Sequence, residues 1–136
     1  MIFVDTTIWV AAIDKKDELH NDGKATVNAI VANELPLAVV TDYVLDEVMT
    51  ILKRRGVPVR QIVDSINAII KSPRVEVVFI DDSLFVKGLI IFSKYEKLSF
   101  TDATTLAVMQ KYKIKEIYSH DSDFDFPKII RHKRPE

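Results

Sequence analysis

Asp5 closes the apolar run "IFV" at the start of the chain and is followed by two hydroxyls, Thr6 and Thr7, before the sequence turns apolar again through Trp9. A carboxylate at the end of a buried strand is desolvated unless something pairs with it, so Asp5 asks for a partner. Other acids border apolar segments further on: Asp46 and Glu47 in "VLDEVMTIL", Asp102 in "LSFTDATTLAVMQ", and Asp121 and Asp123, after Ser119, in "IYSHDSDFD". On a helical wheel Glu47 falls with Tyr43, Val44 and Ile51, whereas Asp46 falls with Asp42, Thr50 and Lys53, which favours Glu47 by a modest margin as the inward-facing acid. Asp102 lines up with Leu106 and Met109, a row otherwise suited to a core. Taken singly, these acids also have ordinary explanations: Asp102 suits the positive end of a helix, and Asp121 and Asp123 suit a turn.

Convergence would change that reading. If Asp5, Glu47, Asp102 and Asp121 meet, their mutual repulsion raises their pKa values unless a cation is present. A set of hard oxygen donors with no cysteine and no metal-spaced histidines suits Mg²⁺ or Mn²⁺. A carboxylate-held cation of this kind can acidify a water against a phosphodiester and stabilise the leaving oxygen. His20, His120 and His132 show no such spacing, and Phe3, Trp9, Phe124 and Phe126 are expected in the core and the walls of the site rather than as stacking platforms for bases.

The elements that must position these acids are legible from periodicity. Short β-rich runs occur at "IFV", "LAVV" (37–40), "VEVVFI" (75–80), "EIYS" (116–119) and "KII" (128–130), separated by segments of helical spacing. That alternation predicts a parallel sheet of about five strands covered by helices on both faces. Helices are expected around 6–13 and 21–33. The next begins at Thr41 or Asp42 and stops at Gly56, another lies between Pro58 and Pro73, one follows the acidic pair Asp81 and Asp82, and the last starts at Ser99 or Thr101. With strand order 3-2-1-4-5, the first and fourth strands are neighbours and Asp5 faces the residues after "EIYS", at the carboxyl ends where open α/β sheets bind ligands.

The 136 residues, 48% of them hydrophobic, suit one domain spanning 1–136 with a core that needs no disulfide. The absence of cysteine removes thiol chemistry and fits a reducing cytoplasm, and no apolar run is long enough to cross a membrane. A net charge of -1 argues against a globally basic nucleic-acid binder, leaving local clusters at Lys53–Arg55 and Arg131–Arg134, each equally well read as a solvated helix end or tail.

The order and placement of the four acidic motifs resemble a PIN domain, the small α/β nuclease fold of VapC-type toxins and RNA-processing endonucleases. The resemblance spans essentially the whole chain. It implies Asp5, Glu47, Asp102 and Asp121 as a catalytic, metal-binding quartet, Asp123 as an auxiliary ligand, and Thr6, Thr7 and Ser119 as hydroxyls that position substrate or water. It further implies Mg²⁺- or Mn²⁺-dependent cleavage of single-stranded RNA, a homodimer and, in the toxin branch, an antitoxin partner. Two other readings compete with it. A phosphotransfer enzyme fits poorly, since Thr7 stands where such phosphatases place a second Asp, and Asp81–Asp82 reads as a helix cap. A non-catalytic PIN-like scaffold usually arises by losing acids, and all four positions are acidic here.

Overall fold

A computed structural model describes residues 1–136. Five strands form one parallel sheet in the order β3-β2-β1-β4-β5, as expected: β1 (Ile2–Val4), β2 (Ala38–Thr41), β3 (Val75–Val78), β4 (Glu116–Tyr118) and β5 (Ile130–His132). Six helices connect or cover them: α1 (Thr6–Ile13), α2 (His20–Val31), α3 (Asp42–Arg54), α4 (Val59–Lys71), α5 (Asp82–Lys94) and α6 (Phe100–Tyr112). Successive strand residues point to opposite faces, so the burial of all of β1 and β2 means that both faces of the sheet centre are covered. β3 and β5, at the edges, remain partly exposed.

Side-chain caps start the helices where the sequence placed them. Thr41 accepts from the Val44 amide at 3.1 Å, Asp81 from Leu84 at 2.9 Å and Ser99 from Asp102 at 3.1 Å. Gly56 follows α3 with φ +82°, a left-handed conformation that glycine adopts without strain. α6 is buried from Asp102 to Met109, which ties its amino end firmly to the sheet. Trp9, Phe3 and Phe124 are core residues, and the Trp9 indole donates to the Val4 carbonyl at 3.0 Å.

Two strand boundaries shift from expectation. The last strand lies at 130–132 rather than 128–130, because the Ile129 amide closes a turn onto the Phe126 carbonyl and the ladder begins only where the Ile130 amide reaches the Lys115 carbonyl. It also turns part of the expected basic tail into an edge strand, in which Arg131 pairs with Asp125 at 2.7 Å and His132 with Glu116 at 2.8 Å. The third strand stops at Val78, since Asp42 captures the Ile80 amide at 2.8 Å and Phe79 turns outward. On α5, Leu84, Gly88 and Ile91 are buried, whereas Phe85, Leu89 and Phe92 stay exposed.

Candidate active site

Because all five strands run the same way, the carboxyl ends of neighbouring β1 and β4 lie side by side, and the segments that follow them meet. Asp5 is 2% exposed, and it caps α1 by accepting from the Thr7 amide at 3.4 Å. The same oxygen, Oδ2, accepts from the Thr7 hydroxyl at 3.0 Å and from the Ser119 hydroxyl at 2.8 Å across 114 positions of sequence. The two hydroxyls thus converge on a single carboxylate oxygen.

The hydroxyls also bind the loop after β4. Thr7 Oγ1 accepts from the His120 amide at 2.9 Å, and Ser119 Oγ accepts from the Asp121 amide at 3.0 Å. Asp121 in turn receives the Asp123 amide at 2.9 Å and caps the short 3₁₀ turn Ser122–Phe124. Thr7 and Ser119 therefore fix Asp5 and Asp121 as one unit. Thr6 Oγ1 is buried, makes no hydrogen bond of full geometry, and lies near enough to the Glu47 carboxyl to oppose the rise in its pKa.

The electrostatics show which acids share the space. Burial pushes the Asp5 carboxyl up from the usual range, although its hydroxyl and amide donors oppose the shift. Burial, then the charges of Asp5, Glu47 and Asp121, push Asp102 up to about 7. Glu47 is raised by burial and by Asp5, Asp46 and Asp121. Asp121 thus acts on both Glu47 and Asp102. Glu47 is half-buried and Asp46 exposed, as the helical wheel predicts.

The donor set is all hard oxygen and carries more negative charge than the fold can neutralise, a chemistry that fits a divalent cation. As they stand, no three His, Asp or Glu side chains lie close enough together to hold one ion between them.

The histidines have structural partners: His20 bonds the Ala11 carbonyl at 2.7 Å, His120 the Lys133 carbonyl at 2.9 Å, and His132 stacks on Tyr118 with ring centroids 4.8 Å apart. Phe126 packs against the core edge to face with Tyr95, near the start of β5. Two features escape a reading of the sequence. Asp5 is a helix cap as well as a candidate ligand, and Arg55 in the basic cluster is committed to Asp14 at 3.1 Å and Asp17 at 2.8 Å. The "DTT" spacing does carry the cap signal; nothing local carries the Arg55 pairing.

Residues 2–128 match the PIN domain, and with this fold and acidic cluster the chain belongs to the PIN-domain family. It is similar to a protein of Archaeoglobus fulgidus named VapC ribonuclease, 33% identical over 131 residues that cover 94% of this chain and 81% of the relative. It is also similar to the 23S rRNA-specific endonuclease VapC20 of Mycobacterium tuberculosis, 32% identical over 124 residues that cover 91% of this chain and 92% of that protein. The crystal structure of VapC20, described as a Sarcin-Ricin loop cleaving toxin, matches with a TM-score of 0.79. VapBC2 from Rickettsia felis, solved with a fragment of promoter DNA, shares the fold with a TM-score of 0.69 at 14% identity, over 97% of this chain and 98% of that one.

Proposed function

We propose that this chain is a Mg²⁺- or Mn²⁺-dependent endoribonuclease that hydrolyses phosphodiester bonds of single-stranded RNA, acting as a cytoplasmic toxin held in check by an antitoxin. The observation that carries this reading is the proximity of Asp5, Glu47, Asp102 and Asp121 at the carboxyl end of the sheet, with the Asp102 carboxyl pushed up to about 7 by burial and then by the charges of the other three. The resemblance to the proteins named VapC ribonuclease and VapC20 supports RNA as the substrate. A divalent cation held by these acids would supply Lewis acidity for phosphodiester hydrolysis.

The chain's own groups do the positioning. Asp5, Glu47, Asp102 and Asp121 would hold the cation, with Asp123 as an auxiliary acid. Ser119 and Thr7 hold the Asp5 carboxyl in place, and Thr6, beside Glu47, would help orient substrate or water. Desolvation of the acids makes the site costly when empty and selective for a cation when filled.

We also read the chain as one domain over 1–136 that works as a homodimer. Val63 at 47% exposure and Ile70 at 51% on α4, with Leu89 at 47% and Ile90 at 63% on α5, offer apolar surface of the kind a second copy would cover. No helix is long and apolar enough to cross a membrane. The deciding assay is cleavage of a panel of RNAs, 23S rRNA included, with Mn²⁺, with Mg²⁺ and with a chelator. Cleavage confined to the metal-loaded wild type, and absent from Asp5→Asn, is the expected result. Equal cleavage in chelator would overturn the metal reading, and no cleavage of any RNA would leave a non-catalytic scaffold.

A further inference from the structure

Arg131 lies on the edge strand β5, in register with Ile117 of β4. Its side chain is only 11% exposed, and its guanidinium is turned onto the segment that follows β4. Nε and Nη2 donate to the two carboxylate oxygens of Asp125 at 2.7 and 3.2 Å, and Nη1 donates to the Ser119 carbonyl at 3.2 Å. One planar group thus holds both ends of the segment 119–125, whose middle carries Asp121 and Asp123. Two further contacts come from the residues just after Arg131: the Ser119 amide donates to the His132 carbonyl at 2.9 Å, and the His120 ring meets the Lys133 carbonyl at 2.9 Å.

The other side of the segment belongs to the site. Ser119 Oγ donates to Asp5 at 2.8 Å and accepts from the Asp121 amide at 3.0 Å, so the residue whose carbonyl Arg131 grips is the one that ties Asp5 to Asp121. Asp125 first, and Asp121 after it, hold the guanidinium above its usual pKa, which places Asp121 within reach of its charge. Stability alone gives this arrangement little purpose, because the Asp125 side chain is 57% exposed and an ion pair with so exposed a partner adds little to folding. Position is what a bidentate pair fixes, since two parallel N–H bonds set an angle as well as a distance. A lysine would keep the charge and lose the fork.

We propose that Arg131 is a positioning residue for the candidate active site, gripping both ends of the segment 119–125 and so setting where Asp121 and Asp123 stand relative to Asp5. It acts through Ser119 and Asp125 rather than on substrate. The inference rests on the nuclease reading of the site. Partners that orient a site's ligands from outside it are worth roughly 10- to 100-fold in metal affinity or activity, so loosening the segment should be felt in kcat and in cation binding rather than in KM.

The test compares three variants of the full chain. Arg131→Lys keeps the charge and loses the fork, Asp125→Ala removes the outer partner at an exposed position, and Arg55→Gln breaks an ion pair outside the segment. Steady-state cleavage of single-stranded RNA and, independently, Mn²⁺ binding without RNA by electron paramagnetic resonance are measured on each, with the Tm in chelator as the check on folding. Arg131→Lys should lower kcat and weaken Mn²⁺ binding by at least about tenfold each, with KM and Tm close to those of the parent. Asp125→Ala should move the same two quantities, and the double variant should lose little more than Arg131→Lys alone, since both changes release one fork. Arg55→Gln should lower the Tm and leave kcat and Mn²⁺ binding as in the parent. The proposal is overturned if Arg131→Lys matches the parent in kcat and Mn²⁺ binding, or if its losses are no larger than those of Arg55→Gln. It is overturned equally if KM rises at constant kcat, which would make Arg131 a contact for RNA. If Arg131→Lys fails to fold, Asp125→Ala carries the same test. A parent that binds Mn²⁺ but cleaves no RNA overturns the nuclease reading alone, and the Mn²⁺ measurement still decides the role of Arg131; a parent that does neither overturns both.

Discussion

Asp102→Asn tests the candidate site through stability as well as activity. The replacement keeps the size of the side chain and leaves the α6 cap intact, because that bond runs from the Asp102 backbone amide to Ser99. What it removes is a charge that the fold disfavours. Below the ordinary carboxyl value both folded and unfolded Asp102 hold a proton and the group has no effect. As pH rises the unfolded chain ionises first, while the folded protein keeps the proton up to about 7, so folding stability declines across that interval and the penalty is complete above it. A rise from 3.8 to about 7 corresponds to an upper limit of about 4 kcal/mol, at about 1.4 kcal/mol for each tenfold change in proton affinity. Asp5, Glu47 and Asp121 share the repulsion and the site can relax, so we expect a gain of about 1–2 kcal/mol, or roughly 4–8 °C in Tm for a domain of this size. The assay is thermal unfolding in chelator at acidic pH and again above neutrality. The variant should be more stable than the parent at the higher pH and equal to it near the ordinary carboxyl value. Mn²⁺ should raise the Tm of the parent and not of the variant, while cleavage is lost. An Asp102→Asn protein less stable than the parent above neutral pH would refute the reasoning, since it would mean that the carboxylate holds the fold together.

Ser119→Ala deletes the 2.8 Å donor to Asp5 and the acceptor for the Asp121 amide, and should lower stability by about 1–2 kcal/mol and kcat more than tenfold with little change in KM, read by urea unfolding and steady-state cleavage. Asp5→Asn keeps an acceptor for its donors but removes a charge from the site, so cleavage should fall by at least about a hundredfold while the Tm in chelator holds or rises; a destabilised but fully active variant would contradict the ligand role. Arg55→Gln strips the charge partner from Asp14, which is 7% exposed, and should cost about 1–3 kcal/mol of folding stability without abolishing cleavage. Leu89→Lys with Ile90→Lys, both on the exposed face of α5, should halve the mass measured by light scattering; an unchanged mass would place the dimer interface elsewhere.

The sequence by itself determined which residues carry charge and which elements hold them. Thr41 and Ser99 announced helix starts because capping is local: the hydroxyl and the amide it receives are three residues apart. Glu47 could be preferred over Asp46 for the same reason, since the burial of a helix face follows its own periodicity. The edge strand was misplaced by two residues because it pairs weakly and on one side only, so its register depends on where Lys115 and the Phe126 turn present their carbonyls. Asp121 and Asp123 were likewise indistinguishable from spacing alone; only the placement of the loop puts the Asp121 charge against Glu47 and Asp102. Gly88 lets α5 approach α6 closely, since an added Cβ would lie 2.9 Å from the Thr104 methyl, a packing demand that nothing in the local pattern announces. The tertiary structure alone decided that Ser119 would hold Asp5. A hydrogen bond across 114 positions exists only because parallel pairing brings the ends of β1 and β4 together, and parallel strands are joined through long connections that local pattern does not encode.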